Sequence, residues 1–306
     1  MKREGGFSRI SAMRKAWNAL PFAAIVAALS PCAGAAGVVR LASGNAACAV
    51  DTATARVLSF RIGGEETLWN DDPPQMDAPD WAHGGMPVCW PWFGVNADGA
   101  IHGTAWRGGF ETQSASRTNL VLRLATAGAV LHFRAALSPD ALEVALETRN
   151  AGTNELAFSA GLHPYFRVSE RDDVLVHGAD GLAFEDDPSC PSPTNGTWRG
   201  VIAVTNYLDR IFRVNASAEA AFRLSEPARR VSVEFSGADA VNVWNPGPEK
   251  LCPGTVPGDS WRRFVCIEPI VIGTGGTVSL PAGGTHLLRI RIIPSVGVPK
   301  EKEKTE

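Results

Sequence analysis

Three consecutive runs of residues decide the fold class of this chain: Asn119-Leu-Val-Leu-Arg-Leu124, Ala129-Val-Leu-His-Phe-Arg-Ala135 and Leu142-Glu-Val-Ala-Leu-Glu-Thr148. Apolar residues recur at every second position in each run, which is the period of a half-buried β-strand. Turn-forming pieces, Ala127-Gly128 and Ser138-Pro139-Asp140, separate the runs. Neighbouring runs are therefore predicted to pair as antiparallel strands.

The same pattern returns in the second half of the chain, and no long segment keeps a helical period with caps at both ends. Its further runs are Val231-Ser-Val-Glu-Phe235, Val241-Asn-Val-Trp244, Phe264-Val-Cys-Ile-Glu268 and Leu287-Leu-Arg-Ile-Arg-Ile-Ile293. Many short strands without intervening helices predict an all-β antiparallel sandwich or barrel rather than a βαβ fold. Because no repeat or low-complexity linker divides the chain, we expect one domain over residues 37–297.

Residues 1–36 have the three-part pattern of a secretory signal peptide. A basic leader precedes the apolar run from Ala19 to Leu29, and the small residues Ala33-Gly34-Ala35-Ala36 follow. This apolar run is too short to span a bilayer permanently. We expect an exported protein, periplasmic or secreted, with no stable membrane anchor; a disordered cytosolic extension is the alternative.

The composition argues against several classes of partner. The formal net charge is −3, from 29 basic and 32 acidic side chains, and no basic face or acidic tract stands out. Nucleic acid and anionic membrane surfaces are therefore not expected partners. We expect a monomer, and residues 298–306 are predicted to be a disordered charged tail.

The cysteines predict buried thiols rather than a disulfide framework or a metal site. Five remain after signal removal, an odd number: Cys48, Cys89, Cys190, Cys252 and Cys266. Cys89 and Cys266 lie inside apolar runs, which is typical of buried thiols. Cys190 and Cys252 lie in proline-flanked loops, so they are the pair that could form a disulfide in an oxidising compartment. No spacing of His and Cys matches a zinc site, and no metal is expected.

Aromatic residues crowd the stretch from Asn70 to Arg107, which also carries five prolines. Long ordered loops in β domains are often functional, and indole rings can stack on the apolar faces of sugars. Alternatively, most of these tryptophans simply pack beneath the loop.

Four polar residues lie where strand-like runs end or loops begin: His102, His163, Asp209 and Glu268. Glu268 ends an otherwise apolar run, and burial there would raise its pKa toward neutrality. A carboxylate tuned in this way suits a general base. Taken singly, a residue in each of these four settings is more often structural than catalytic.

Six segments of the chain together resemble a known family. They are Gly84-Gly-Met-Pro-Val-Cys-Trp-Pro-Trp-Phe-Gly94, His102-Gly103, Leu162-His-Pro-Tyr-Phe166, Leu208-Asp-Arg-Ile211, Val243-Trp-Asn-Pro-Gly247 and Phe264-Val-Cys-Ile-Glu268. Their order resembles the aldose 1-epimerase-like superfamily, in particular its hexose-6-phosphate mutarotase branch. The resemblance runs from about residue 38 to residue 294.

The resemblance implies a galactose mutarotase-like β-supersandwich that interconverts the α and β anomers of a hexose without a cofactor. It implies that His163 is the general acid on the ring oxygen and that Glu268 is the base on the anomeric hydroxyl. It further implies that His102 and Asp209 hold the sugar. Opening a hemiacetal requires one proton delivered and one removed, which a His–Glu pair can do.

Two positions depart from the phosphate-specific branch, which carries arginines where this chain has His83 and Trp106. Arg107 lies one residue later, and on a strand that shift would turn its side chain to the opposite face. Arginine forks bind phosphate through paired charge-assisted bonds. We therefore expect an unphosphorylated or otherwise modified sugar, with Trp106 as a stacking surface and His83 and Arg107 as further substrate-binding residues.

Two alternatives remain open. The chain could be a glucose-6-phosphate 1-epimerase in which Arg107, Lys250, Arg262 or Arg263 replaces the missing contacts. It could instead be a non-catalytic carbohydrate-binding protein that keeps the cleft.

Overall fold

The computed structural model describes residues 37–70, 83–188, 190, 192–248, 256 and 258–296. These residues all belong to one compact unit. The predicted signal peptide and the charged tail lie outside the described residues, so both remain predictions. Within the described ranges, no helix is long and apolar enough to cross a membrane.

The described residues form 23 strands and three short 3₁₀ turns. The strands are β1 (Val38–Ser43), β2 (Ala46–Asp51), β3 (Arg56–Ile62), β4 (Glu65–Glu66), β5 (Val88–Cys89), β6 (Glu111–Ala115), β7 (Asn119–Thr126), β8 (Ala129–Leu137), β9 (Leu142–Asn150), β10 (Leu156–Phe158), β11 (Ala160–Leu162), β12 (Tyr165–Arg167), β13 (Leu175–His177), β14 (Ala183–Asp186), β15 (Asn195–Thr197), β16 (Ile202–Ala203), β17 (Leu208–Arg213), β18 (Ala220–Ser225), β19 (Arg229–Ser236), β20 (Ala240–Asn245), β21 (Phe264–Val271), β22 (Val278–Leu280) and β23 (Thr285–Val296). The 3₁₀ turns are Ala105–Arg107, Arg171–Asp173 and Ser260–Arg263.

Two large antiparallel sheets dominate the architecture. One has eight strands in the order β15-β14-β17-β20-β21-β11-β5, with β12 also pairing with β21. The other has nine strands in the order β16-β13-β18-β19-β23-β9-β8-β7-β6. A four-stranded sheet, β1-β2-β3-β4, and the pair β10-β22 complete the fold. The predicted all-β sandwich is confirmed.

Apolar side chains from both large sheets meet in one core. On β8 every second residue is buried, as the period-two pattern predicts. The rings of Phe212 on β17, Phe222 on β18 and Phe235 on β19 follow one another with centroids 6.0 Å apart, so the chain of contacts crosses from one sheet to the other. Aromatic pairs at this spacing add to the burial of apolar surface that holds the sheets together.

The central strands of the eight-stranded sheet are buried on both faces. On β21, Val265 and Ile267 belong to the main core, whereas Phe264 and Cys266 belong to a second cluster on the opposite face. Glu268 is on that opposite face as well, because successive strand residues alternate in direction. This face, turned away from the main core, carries the polar residues singled out from the sequence.

Candidate active site

Strand register brings the acidic residues of the site onto one face of the eight-stranded sheet. Glu268 on β21 lies opposite Asn242 on β20, and Cys266 lies opposite Trp244. Asp209 on β17 lies opposite Trp244 on its other side. Residues directly opposite one another share a face, and so do residues two apart on one strand. Five side chains from three strands therefore converge although their positions in the sequence are far apart.

His163 meets Glu268 directly. It follows β11, where its backbone N–H donates to the carbonyl of Pro87 at 3.1 Å. Its Nε2 lies 3.2 Å from Oε2 of Glu268, and the two side chains are 5% and 0% exposed. The imidazole stacks on the ring of Tyr165 with centroids 4.7 Å apart, which fixes its orientation. The structure thus brings into contact the two residues to which the resemblance assigns the roles of acid and base.

Burial sets the protonation of this pair. Loss of solvent lowers the pKa of His163 well below 6.5, and repulsion from His102 and His83 acts in the same direction. Loss of solvent raises the pKa of Glu268 well above 4.5, and the charge of Asp209 adds to the rise. Both effects favour the neutral form of each group over its charged form. The rise predicted for Glu268 from the sequence is confirmed in direction.

His102 is neutral and its tautomer is fixed. Its Nδ1 accepts the backbone N–H of Gly94 at 3.1 Å, which places the ring proton on Nε2. Burial, with a contribution from His83, lowers the pKa of His102 to about 3. The ring lies 5.2 Å, centroid to centroid, from that of His163. His102 therefore offers an uncharged N–H donor beside the acid–base pair.

A tight turn holds His102 in place. Its φ of 56° is in the left-handed region, which costs energy for a residue other than glycine. Gly103 follows at φ 77°, and a Cβ there would lie 2.0 Å from the carbonyl oxygen of Trp90. Glycine is therefore required at this position, and the strain at His102 is held by the surrounding contacts.

Asp209 is linked to Glu268 through Asn242. The Nδ2 of Asn242 donates to Oδ1 of Asp209 at 3.0 Å and lies 3.4 Å from Oε1 of Glu268. Tyr207 donates its hydroxyl to the other oxygen of Asp209 at 3.3 Å. Burial, followed by the nearby charge of Asp187, raises the pKa of Asp209 to about 7. Asp209 is half-buried, and its raised pKa lies near neutral pH.

Sequence reasoning missed Asn242 and Tyr165. Both had a usable signal: Asn242 is two residues before Trp244 on the same strand, and Tyr165 is two residues after His163. Residues two apart on a strand share a face. Within the described part of the chain, Oδ1 of the buried Asn242 has no hydrogen-bond donor.

His83 belongs to the site, but as part of an aromatic cluster. Its Nδ1 lies 2.9 Å from the hydroxyl of Tyr165, and its ring stacks nearly parallel to Trp244 with centroids 6.1 Å apart. The guanidinium of Arg56 donates to the carbonyl oxygens of His83 and Gly84 and so fixes the backbone there. The position that resembles a phosphate-binding arginine is occupied by a largely buried imidazole.

The expectation that Arg107 lies on a strand, with its side chain on the face opposite to that of Trp106, was wrong. Ala105–Arg107 is a 3₁₀ turn and not a strand, so a shift of one residue does not send the side chain to the opposite face of a sheet. The guanidinium instead folds over the ring of Trp106, 4.4 Å from its centroid. The indole N–H of Trp106 donates to the carbonyl of Gly103 at 3.0 Å, beside His102. Trp106 thus borders the turn that carries His102, with Arg107 on its ring.

Two of the other cations named as replacements for phosphate contacts have protein partners. Arg262 lies 3.3 Å from a carboxylate oxygen of Glu170 and stacks on Trp261. Arg263 donates to the carbonyl of Ser169. Lys250 lies outside the described residues.

Three potential metal ligands come together although no spacing in the sequence indicated them. Ligand atoms of His163, Cys266 and Glu268 all lie within 4.8 Å of one another. Cys89 and Cys266 are fully buried free thiols, as predicted, and burial raises the pKa of each well above 9.0. A tertiary contact therefore creates a ligand set that linear spacing could not reveal.

The disulfide prediction stays a prediction. Cys190 is a free thiol whose sulfur donates to the carbonyl of Asp209 at 3.5 Å, and Cys252 lies outside the described residues. Counting thiols in the denatured mature protein tests the pairing.

A surface cleft of about 690 Å³ lies elsewhere, against β14, β15 and β17. Its polar lining is dominated by Glu185 and Arg213, which already form an ion pair, and by Asp239, which accepts two backbone N–H groups. The titratable groups singled out from the sequence converge at the His163–Glu268 pair and not at this cleft.

The sequence is similar to that of proteins of one family. A family model described as aldose 1-epimerase matches residues 45–292. A Salmonella typhimurium protein named "Putative glucose-6-phosphate 1-epimerase" is 28% identical over 232 residues, covering 71% of this chain and 76% of that protein. A Cenchrus ciliaris protein of the same name is 25% identical over 246 residues, covering 70% and 74%.

Solved structures share the fold. The crystal structure of a mutarotase-type protein, YeaD, from Salmonella typhimurium superposes with a TM-score of 0.72 at 22% identity, over 85% of this chain and 90% of that one. A galactose mutarotase related enzyme from Lactobacillus acidophilus gives 0.69 at 15% identity, over 86% and 98%. At these identities the structures show a common fold, and the family model spans most of the sequence. This chain therefore belongs to the aldose 1-epimerase family and is an isomerase of the epimerase type.

Proposed function

We propose that this protein interconverts the α and β anomers of an unphosphorylated or otherwise modified hexose by acid–base opening and closure of the sugar ring. The observation that carries the proposal is the 3.2 Å contact between Nε2 of His163 and Oε2 of Glu268 on a buried face. An acid and a base at this distance from each other can act on the two oxygens bonded to one anomeric carbon.

The reaction needs the charged arrangement of the pair, with His163 protonated and Glu268 ionised. In that arrangement the imidazolium donates a proton to the ring oxygen while the Glu268 carboxylate removes the proton of the anomeric hydroxyl. The bond from C1 to the ring oxygen breaks, and the former hydroxyl oxygen becomes the aldehyde oxygen. Rotation about the C1–C2 bond and the reverse proton transfers give the other anomer. Sugar hydroxyls that donate to Glu268 would stabilise the charged arrangement over the neutral one.

The neighbouring groups match the remaining needs of a sugar. His102 supplies an uncharged N–H donor, and its low pKa keeps it neutral over the physiological range. The carboxyl oxygens of Asp209 can accept a hydrogen bond from a sugar hydroxyl, and Oδ1 of Asn242 supplies a further acceptor. Hydrogen bonds from fixed, buried groups discriminate strongly between substrates that satisfy them and those that do not.

The preference for a sugar without a 6-phosphate rests on His83 and Trp106. A phosphate needs cationic forks, whereas the His83 ring is held between Trp244 and the Tyr165 hydroxyl. The phosphate-specific reaction is the second candidate, because two similar proteins are named as glucose-6-phosphate 1-epimerases. A non-catalytic sugar-binding protein is the third candidate, although binding alone gives no reason for a buried His–Glu contact.

Exchange NMR between the anomeric signals tests the proposal with glucose, galactose and glucose 6-phosphate. We expect the wild-type protein to accelerate anomerisation of a free sugar and His163→Ala to lose that acceleration. His132→Ala is the matched control, since His132 also contacts a glutamate at 3.2 Å but on the other large sheet. Sugar binding without acceleration would favour the binding protein, and acceleration confined to glucose 6-phosphate would favour the phosphate-specific enzyme.

A further inference from the structure

Three side chains of the site have the chemistry of a zinc site. His163 offers an imidazole nitrogen, Cys266 a sulfur and Glu268 a carboxylate oxygen, all within 4.8 Å of one another. Nitrogen, sulfur and carboxylate oxygen are the ligands that zinc takes in proteins, and catalytic-type sites use three of them and leave a fourth position open.

Strand geometry explains why the three meet. Cys266 and Glu268 are two apart on β21 and so share the face turned away from the main core. Tyr165 on β12 pairs with Cys266, and His163 is two residues before Tyr165. The backbone thus fixes the ligand set without any need for a loop to close.

The nitrogen–oxygen spacing is close to that of a tetrahedral zinc site. With metal–ligand bonds of the usual length, a tetrahedral angle separates the nitrogen and oxygen ligands by about 3.4 Å and sulfur from either by about 3.6 Å. The distance from Nε2 of His163 to Oε2 of Glu268 is 3.2 Å, within a few tenths of an ångström of the tetrahedral value. The sulfur of Cys266 lies within 4.8 Å of the other two ligand atoms, so it would move inward by at most about 1.2 Å to complete the set.

Charge balance favours the ion as well. Binding would release one proton from the Cys266 thiol and one from the Glu268 carboxyl to solvent, and the resulting thiolate and carboxylate would neutralise a divalent cation. A neutral assembly avoids the cost of an isolated charge in a buried site.

We propose that His163, Cys266 and Glu268 form a three-ligand site for Zn²⁺, and that its occupation blocks the acid–base pair. The metal site itself does not depend on the proposed function, whereas inhibition by the metal rests on it.

Co²⁺ titration of the metal-free full-length chain tests the site, because cobalt bound to a thiolate gives a charge-transfer absorption band. We expect the band in the wild type, its loss in Cys266→Ser and in Cys266→Ala, and its displacement by Zn²⁺. Cys89→Ser is the matched control, since Cys89 is equally buried and its pKa also responds to Glu268, but it is not one of the three ligands. A band of wild-type strength in both Cys266 variants, or one lost equally in Cys89→Ser, would overturn the proposal.

Calorimetry with Zn²⁺ adds a measurement that does not depend on the spectrum. We expect the dissociation constant to rise at least about tenfold in Cys266→Ser and in His163→Ala. Affinities unchanged in both variants would refute the site. A wild-type protein that shows the cobalt band but no anomerisation would leave the metal site standing and reject the proposed function instead. If the protein is active, Zn²⁺ should inhibit the wild type at least about tenfold more strongly than Cys266→Ser, and equal inhibition would refute blockage at this site.

Discussion

Replacing Glu268 by glutamine tests the proposed base without disturbing the packing around it. The side chain is fully buried, and its Oε1 lies 3.4 Å from Nδ2 of Asn242. The carbonyl oxygen of a glutamine can accept the same hydrogen bond from Asn242, and the neutral amide resembles the protonated carboxyl that burial favours. It cannot accept the proton of the anomeric hydroxyl.

The expected loss of activity is large and the expected loss of stability is small. A positioned general base contributes a factor of about 10² to 10⁴, which corresponds to about 3–5 kcal/mol of barrier. We therefore expect kcat for anomerisation to fall by at least about a hundredfold in Glu268→Gln. The free energy of unfolding should change by less than about 1 kcal/mol, because shape and neutral charge are conserved.

Glu147→Gln is the matched control for this substitution. Glu147 lies 3.2 Å from Nδ1 of His132, directly opposite it on β8 and β9, and both side chains are partly exposed. We expect kcat to stay within about twofold of wild type in this variant. Exchange NMR of the sugar and urea unfolding supply the two measurements. Activity of Glu268→Gln within tenfold of wild type, in a folded protein, would refute the assignment of Glu268 as the base.

Three further predictions concern the groups around the pair. Asn242→Leu removes the hydrogen-bond donor shared by Asp209 and Glu268, so kcat should fall at least about tenfold. Steady-state kinetics at several pH values measure this, and a dependence of kcat on pH unchanged from wild type would contradict the coupling of Asp209 to Glu268 through Asn242. The pKa of Asp209 is raised from 3.8 to about 7 in the folded protein, so its contribution to stability is complete below about pH 4 and is lost as the pH rises to about 7. In urea titrations, the unfolding free energy of Asp209→Asn minus that of the wild type should therefore be larger at pH 7.5 than at pH 4, by at most about 4 kcal/mol. The same difference at both pH values would show that Asp209 titrates normally. His83→Arg/Trp106→Arg should increase kcat/KM for glucose 6-phosphate by at least about tenfold over wild type, and a wild-type protein that already prefers glucose 6-phosphate to glucose would contradict the expected specificity.

Local sequence was sufficient for the strands. The predicted runs that begin at Asn119, Ala129 and Leu142 correspond to β7, β8 and β9, and the later runs correspond to β19, β20, β21 and β23. The prediction succeeded because a strand with one face in a core needs apolar residues at every second position, and this requirement is local. It failed at Arg107, where a short turn interrupts the strands and its geometry depends on the contacts of Trp106.

The site residues were predicted from six sequence segments whose order resembles that of a family. Whether these residues come into contact, however, depends on the register of the strands. Nothing local in the sequence says that His163 and Glu268 are in contact or that Asn242 lies opposite Glu268. Register is set by how whole strands pack against one another, and a shift of one residue would turn Glu268 into the main core.

The sequence by itself determined an all-β sandwich, buried thiols at Cys89 and Cys266, and a short set of candidate acids and bases. Only the tertiary structure decided which of them touch, which protonation state burial favours, and that Cys266 joins His163 and Glu268 as a third ligand. The physical reason is that strand formation follows from the period of a few neighbouring residues, whereas pKa values and ligand geometry follow from burial and from side chains brought in from distant strands.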